Sequence, residues 1–388
     1  MVDSGAPLPR QRDVLPGSRP YEVLAAKNAT VRLRSPSGHV YSFTDLTCAH
    51  GAVNFGHLNP DIDPFECLDS DVVAAIYPPA AKAHANWLLK KLRLRTHKMF
   101  YTIGNFGDVS AAVELAQRRR PGKVVAIDGS CHGRELAAAG QDLKDCCGEP
   151  ALHIAPGQDF SAWDSVSCLI YEPIQGRCGY LPLPLPWLRG LSHTAQVAGV
   201  TVIADETQCG FYRFGQLSLA ASEFLRPDIF VFGNSMTNGI YPLFAIVYPN
   251  EFERSSLSID NDSKPTFQTS LLGLRAAERV AAYIDSTDLD ALITEIHSLM
   301  SKTGVKLAAN PILSSFHLAG PTLSFEVRDA RAAELVLACE ARGVLVSAGA
   351  GGRRVRVAPP LTIARDQLKL ALKQVVQAAM ELRVASPA

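Results

Sequence analysis

Several features are scarce or absent in this chain of 388 residues, and each absence excludes a class of protein. Its 38 lysines and arginines are balanced by 38 acidic residues, so it lacks the basic excess that binds nucleic acid or an anionic membrane. Its longest apolar runs, such as 229–232 and 243–247, are far shorter than the roughly 20 residues of a membrane span. The first 20 residues are polar and proline-rich, unlike a signal peptide. We therefore expect a cytoplasmic protein that binds neither nucleic acid nor a membrane.

The spacing of metal ligands is also absent, although the chain has nine cysteines. None of them shows the paired spacing of a zinc site, and Cys146 and Cys147 are direct neighbours. Unpaired cysteines of this kind are usually buried, reduced thiols in proteins of the reducing cytosol. The sequence therefore predicts no metal site and no disulfide framework.

What the chain does have is an alternation of short apolar runs with longer amphipathic ones, from about residue 98 to 248. Short runs rich in β-branched residues predict strands, and apolar residues at every third or fourth position predict helices. The predicted strands are Lys123–Ile127, Ser167–Tyr171, Val200–Ala204, Asp228–Phe232 and Leu243–Val247, with a helix at Leu185–Ala198. Continuously apolar strands separated by helices indicate an α/β fold with a mainly parallel central sheet.

A smaller α/β unit is predicted from the two ends of the chain. Its helices are expected at Ser270–Ile284, Leu289–Leu307, Ala330–Arg342 and 364–382, and its strands at Thr30–Arg34, Thr322–Val327 and Arg354–Val357. We divide the chain into an N-terminal arm with part of the small domain (1–45), a large domain (46–275) and a C-terminal small domain (276–388).

Polar residues directly follow three of the predicted strands. Glu172 ends one strand, Asp205 ends the next, and Gly233–Asn234 form the turn after a third. Ligands of parallel sheets bind at the carboxyl ends of the strands, so these residues are candidates for a functional site. A buried carboxylate such as Asp205 needs a compensating partner. The protonated ring nitrogen of a cofactor would serve, and so would the N-terminus of a helix that Asp205 caps.

The three segments occur in the order and spacing of a known family. Glu172–Gly176, Ala204–Gly210 and Gly233–Pro242 resemble motifs of the class-III aminotransferases of fold type I, a group that includes ornithine and 4-aminobutyrate aminotransferases. Further similarities lie at Asn54–Pro60, Ala126–Arg134, Pro265–Phe267 and Val355–Leu361. The resemblance implies a fold type I transferase that uses pyridoxal 5'-phosphate (PLP). Such an enzyme transfers an amino group between an amine or amino acid and a small carbonyl compound.

The resemblance also implies roles for individual residues. Asp205 would pair with the pyridine nitrogen of PLP, and Gln208 would approach the ring hydroxyl. Arg356 would bind a substrate carboxylate through two parallel hydrogen bonds, unless it is only a solvated charge at a strand end. Thr266 would reach the cofactor phosphate of the neighbouring subunit, which implies a homodimer. The remaining implied cofactor-binding residues are Gly104, Asn105, Gly107, Cys131, His132 and Glu172.

Three features depart from the family pattern. Asn234 stands where the family has the lysine that forms a Schiff base with PLP. An amide is neither nucleophilic nor basic, and losing a positioned proton shuttle alone costs about 10²–10⁴ in rate. Transamination is therefore expected to be nearly abolished. Cys131 replaces the aromatic residue that stacks on the ring. The loop at 104–108 is one residue shorter than in the family, although the helix predicted at Val109–Gln117 could still bind phosphate through its N-terminal amides.

Two origins explain these departures differently. An engineered lysine-to-asparagine change accounts for Asn234 alone, whereas natural divergence accounts for all three and leaves PLP bound non-covalently or absent. Three functions follow: a PLP-dependent aminotransferase that lacks its lysine, a diverged cleft that binds a ligand or catalyses a PLP-free reaction, and a non-catalytic subunit paired with an active paralogue. The diverged cleft would use His132, Asp205 and Arg356. Retention of Asp205, Gln208, Thr266 and Arg356 favours the first function.

Overall fold

The computed structural model describes residues 21–65, 79–103, 108–132, 151–255 and 270–382. Within those ranges the strands are, in chain order, β1 (Glu22–Lys27), β2 (Thr30–Arg34), β3 (Val40–Asp45), β4 (His97–Ile103), β5 (Lys123–Ile127), β6 (Leu152–Ile154), β7 (Val166–Tyr171), β8 (Ile174–Gln175), β9 (Leu181–Pro182), β10 (Thr201–Glu206), β11 (Ile229–Phe232), β12 (Leu243–Pro249), β13 (Leu313–Ala319), β14 (Thr322–Val327), β15 (Val344–Leu345), β16 (Ser347–Ala348) and β17 (Arg354–Val357). The helices are α1 (Cys48–Gly51, a single turn), α2 (Pro79–Lys91), α3 (Asp108–Arg119), α4 (Leu185–Val197), α5 (Leu219–Ser222), α6 (Leu271–Ser286), α7 (Leu289–Leu307), α8 (Ala332–Glu340) and α9 (Arg365–Glu381). None of the helices in these ranges has the length and apolar character needed to cross a bilayer.

The central sheet has seven strands in the order β4-β12-β11-β10-β7-β5-β6. Strand β12 is antiparallel to both of its neighbours, and the other pairs are parallel. Strands β7, β10 and β11 are buried along their whole length, which is expected of parallel strands covered on both faces. The α/β fold with a mainly parallel central sheet is therefore confirmed.

Alternate residues of the central strands face two different cores. In β5, Val124 and Ala126 belong to the core that includes Val113 of α3. Val125 and Ile127 belong to the core that includes Leu188 of α4. Because side chains alternate along a strand, this division places helices on both faces of the sheet.

The candidate site residues lie at one edge of the central sheet. Strands β4, β5, β7, β10 and β11 run in the same direction, so their carboxyl ends lie together. Glu172 follows β7, and Asp205 is the next-to-last residue of β10, paired with Val231 of β11. Asn234 begins a 3-10 turn directly after β11. Helix α3 also starts at this edge, after β4.

Two four-stranded sheets accompany the central sheet, and the first of them joins the two ends of the chain. One has the order β1-β2-β3-β15, and in it the C-terminal Val344 pairs with Thr44. The other has the order β13-β14-β17-β16 and carries Arg356. Helix α9 joins the first of these sheets through Gln367, whose Nε2 donates to Thr30 Oγ1 at 3.0 Å. The predicted domain boundary at residue 275 lies inside α6, and the three domain ranges stay predictions.

Candidate functional site

Asp205 is fixed at the end of β10 by two groups of donors. Its Oδ1 accepts hydrogen bonds from the backbone N and Oγ1 of Thr207, at 3.0 and 2.7 Å. Its Oδ2 lies 2.8 Å from Nδ1 of His132, and both side chains are buried. The other ring nitrogen of His132, Nε2, is buried with no hydrogen-bond partner in the described part of the chain. The buried carboxylate of Asp205 suits a protonated pyridine nitrogen, because a charge-assisted hydrogen bond to a carboxylate stabilises such a cation.

The helix-capping role considered for Asp205 belongs to its neighbour. Glu206 Oε1 accepts from Ser218 Oγ at 2.6 Å and from Ala220 N at 2.9 Å, and its Oε2 accepts from Leu219 N at 2.9 Å. Glu206 thereby binds the amides at the start of α5. Burial raises the pKa of Glu206 to about 7.

Glu172 joins the ends of β5 and β7. Its Oε2 accepts from the backbone N of Cys131 at 2.9 Å, and its Oε1 accepts from the backbone N of Gly176 at 3.2 Å. Burial, and next the charge of Asp205, raise the pKa of Glu172 to about 8. The raised pKa favours the neutral form of this carboxyl, which reduces its repulsion with Asp205.

Gln208 lies against a glycine that leaves room for it. A Cβ atom added to Gly176 would stand 2.1 Å from Oε1 of Gln208 and 2.6 Å from its Cδ. Only glycine at position 176 therefore admits the observed side-chain position. Gly176 thus permits the position that the Gln208 side chain takes in the structure.

Asn234 has a left-handed backbone, with φ of 35°, and its side chain is half-buried. It follows β11 at the sheet edge that carries Asp205. Position 234 thus lies at the same sheet edge as Asp205, and its carboxamide supplies neither a nucleophilic amine nor a base.

Arg356 is buried and held by neighbouring groups, so the alternative of a solvated strand-end charge is wrong. Its Nη1 donates to the carbonyl of Gly176 at 2.9 Å, its Nη2 to that of Ala348 at 3.0 Å, and its Nε to Ser347 Oγ at 3.0 Å. The guanidinium carbon lies 5.2 Å from the centre of the Tyr180 ring. These bonds use three of the five N–H donors of an arginine. The contact with Gly176 connects Arg356 to the turn whose backbone also binds Glu172.

Several predicted site residues lie outside the described residues. They are Gly104, Asn105, Gly107 and Thr266. Helix α3 begins at Asp108, directly after the predicted phosphate loop and one residue before the predicted start. The N-terminus of α3 thus lies at the sheet edge that carries Asp205, and a helix N-terminus is suited to binding phosphate.

Two arginines near the site were not predicted from the sequence. Nη1 of Arg177 lies 3.9 Å from Sγ of Cys131. Arg213 is fully buried, and it donates to Asn54 Oδ1 at 3.0 Å and to the carbonyl of Pro359 at 2.8 Å. Arg213 therefore ties the turn after β10 to the segments at Asn54 and behind Arg356. Its position between two glycines in Gly210-Phe-Tyr-Arg-Phe-Gly215 is a turn signal, but it carries no sign of burial.

Comparison with known proteins decides the family. The family described as aminotransferase class-III matches residues 140–379 of the chain. The chain belongs to the class-III aminotransferase family. The resemblance and the fold type I architecture inferred from the sequence are thereby confirmed.

This class-III aminotransferase is similar to curated ornithine aminotransferases. The protein of Oceanobacillus iheyensis is 28% identical over 258 residues, which span 60% of this chain and 63% of that protein. The protein of an Exiguobacterium species is 23% identical over 379 residues, which span 92% of each.

Solved structures are similar over nearly the whole chain. The acetylornithine aminotransferase of Elizabethkingia anophelis has a TM-score of 0.79 and 20% identity and covers 96% of each chain. An ornithine aminotransferase of Toxoplasma gondii, in which PLP partly occupies the active site, has a TM-score of 0.80 and 18% identity. It covers 95% of this chain and 92% of that one. At these identities the likeness establishes the fold of the class-III aminotransferase.

Proposed function

We propose that this class-III aminotransferase binds PLP in the cleft at the carboxyl edge of the sheet, without a covalent bond to position 234. We further propose that its amino-group transfer between an amine or amino acid and a carbonyl compound is slow. The observation that carries the proposal is the buried Asp205–His132 pair, with a distance of 2.8 Å between Oδ2 and Nδ1. Bound PLP would supply a protonated ring that accepts electrons from the substrate.

The described residues would hold the ring and the substrate in separate ways. Asp205 would keep the ring nitrogen protonated, while His132 and Thr207 hold the carboxylate in place. Gln208, which lies against Gly176, would approach the ring hydroxyl. Arg356 would orient a substrate carboxylate with the two N–H groups that no described acceptor takes.

The proposed slowness follows from the side chain of Asn234. A carboxamide cannot take a proton from the substrate and return it at another atom. The absence of a positioned acid-base group costs about 10²–10⁴ in rate.

Equilibrium dialysis with PLP, followed by borohydride reduction and peptide mapping, tests the proposal. We expect saturable binding of one PLP per chain, with no pyridoxyl group on the peptide that contains Asn234. Asp205→Asn should weaken binding about ten-fold or more, since it removes a charge-assisted hydrogen bond. The exposed Asp159 provides the control, and Asp159→Asn should bind like the unmodified protein. A stable adduct at Asn234, or rapid transamination by the unmodified chain, would contradict the proposal.

The alternative function is a cleft that binds a carboxylate ligand without PLP, in this chain alone or as the partner of an active subunit. It is supported by Arg356, whose buried position depends on protein groups only. Absence of PLP binding, together with carboxylate binding that Arg356→Ala abolishes, would select this alternative.

A further inference from the structure

Cys131 is held beside the carboxylate that would bind the pyridine nitrogen. Its backbone N donates to Oε2 of Glu172 at 2.9 Å, and the next residue, His132, contacts Asp205. The side chain of Cys131 is half-buried. A thiol presents one polarisable atom, so it covers far less of an aromatic ring than the aromatic side chain that the family has at this position.

The guanidinium of the exposed Arg177 contacts this thiol at one atom. Nη1 of Arg177 is 3.9 Å from Sγ of Cys131. The backbone that presents Arg177 is fixed at the preceding residue, because Gly176 donates its N–H to Glu172 and accepts from Arg356. A turn anchored at both backbone polar groups of Gly176 thus presents a planar cation beside Cys131.

We propose that Arg177 takes over the ring-stacking role and lies flat against the face of the PLP ring. This inference rests on the proposed PLP binding and adds to it a cofactor-binding residue. A guanidinium is planar and weakly hydrated, and it stacks on aromatic faces, whereas a lysine ammonium is a strongly hydrated point charge. The anionic phosphate and ring oxygen of PLP attract the cation as well. Contacts of this kind change a dissociation constant by about 2- to 30-fold.

Calorimetric titration with pyridoxine 5'-phosphate tests the stacking role, because this probe has the ring and the phosphate but no aldehyde that could react with lysines. Arg177→Ala should raise its dissociation constant about 2- to 30-fold. Arg177→Lys should weaken binding nearly as much, since the charge is kept and the plane is lost. Arg95→Ala removes an exposed arginine elsewhere and should leave the constant unchanged.

A double-mutant cycle with Cys131→Phe gives the sharper result. In the Arg177→Ala protein, Cys131→Phe should recover most of the lost affinity, because phenylalanine covers the same ring face. In the protein that retains Arg177, Cys131→Phe should raise the affinity for pyridoxine 5'-phosphate only slightly. The two effects are therefore expected to be strongly non-additive. If Cys131→Phe raises the affinity equally with and without Arg177, or in neither case, then Arg177 and the introduced phenylalanine do not share a ring face and the inference is contradicted.

The remaining outcomes separate this inference from the proposed function. If the unmodified protein binds the probe and either Arg177→Ala or Arg177→Lys binds it equally well, the stacking role is wrong while PLP binding stands. If the unmodified protein does not bind the probe at all, the proposed function fails and the inference fails with it.

Discussion

At the scale of single residues, a substitution at position 234 distinguishes an aminotransferase that lacks only its lysine from one whose site has diverged further. We predict that Asn234→Lys acquires a borohydride-reducible bond to PLP but stays far below full transamination. Cys131 and the shortened loop at 104–108 are unchanged in this variant and would still weaken ring and phosphate binding. A lysine with positive φ adds a backbone cost of about 1 kcal/mol. Single-turnover absorbance with an amine donor measures the outcome. Full, saturable transamination by this one change would show that the other departures matter little.

Arg356 gives a second prediction at the same scale. Arg356→Ala should weaken binding of a carboxylate-bearing amine about 10- to 150-fold, the range for a lost hydrogen bond to a charged group. Binding of an amine without a carboxylate should change much less. Titration of both amines into the PLP-saturated protein measures the difference. Arg353→Ala, at an exposed position three residues earlier, serves as the matched control. An equal loss for both amines would assign Arg356 a structural role only.

The candidate site could be predicted from the sequence wherever a residue's position on a strand decided its role. Glu172 and Asp205 stand at strand ends, and that position alone places them at one edge of a parallel sheet. The contact of Arg177 with Cys131 could not be predicted, because it joins residues 46 positions apart and depends on the path of a turn. Nor does an arginine signal burial, so Arg213 was missed.

At the scale of elements, the strands and helices with a regular apolar pattern could be predicted from the sequence. The bounds of β2, β5, β14, β17 and α7 are as predicted, and the other predicted elements end within two residues of the expected positions. The edge strand β4 was missed because its sequence, His-Lys-Met-Phe-Tyr-Thr-Ile, has only one fully buried side chain. Strand β13 was missed because Ser314 and Ser315 interrupt its apolar pattern at a bulge.

The turn after β8 yields a prediction in which stability and binding respond differently. Gly176→Ala displaces only the flexible end of Gln208, so the free energy of unfolding should change by less than about 1 kcal/mol. Binding of pyridoxine 5'-phosphate should nevertheless weaken, since Gln208 leaves its place.

Gly320 is the matched comparison for this prediction. A Cβ there would lie 2.5 Å from backbone atoms of Phe214, at a φ of 50°, so Gly320→Ala should cost about 1–3 kcal/mol. Urea unfolding of both variants checks the contrast. Comparable destabilisation by the two substitutions would contradict it.

At the scale of the whole molecule, two buried carboxyls set a pH dependence of stability. Burial raises the pKa of Glu172 to about 8 and that of Glu206 to about 7, from an ordinary 4.5. Between pH 4.5 and 8 the unfolded chain releases protons that the folded chain retains. The contribution of these groups to stability therefore falls as pH rises through this window.

The melting temperature of Glu172→Gln and of Glu206→Gln should consequently fall less steeply than that of the unmodified protein between pH 5 and 8. A glutamine cannot ionise, so it removes the linkage. Identical slopes in the two variants and the unmodified protein would exclude these carboxyls as the cause.

We also predict a homodimer, which the family resemblance implies through Thr266. Leu58 is 79% exposed and Phe65 is 65% exposed, close to the Asn54–Pro60 motif, and large exposed apolar side chains are typical of interfaces. Leu58→Asp should shift the sedimenting species from two chains towards one and weaken PLP binding. Val305→Asp, at an equally exposed position on α7, should do neither. A monomeric unmodified protein would refute this prediction.

The position of β4 in the central sheet has a consequence for synthesis on the ribosome. Its neighbour in the sheet is β12, and 140 residues separate Ile103 from Leu243. At a translation rate of roughly 5–20 residues per second, the synthesis of β12 is complete about 7 to 30 s after that of β4. During this interval the segment that contains Met99 and Phe100 has no partner strand. It can therefore bind a chaperone or pair with the same segment of a neighbouring nascent chain.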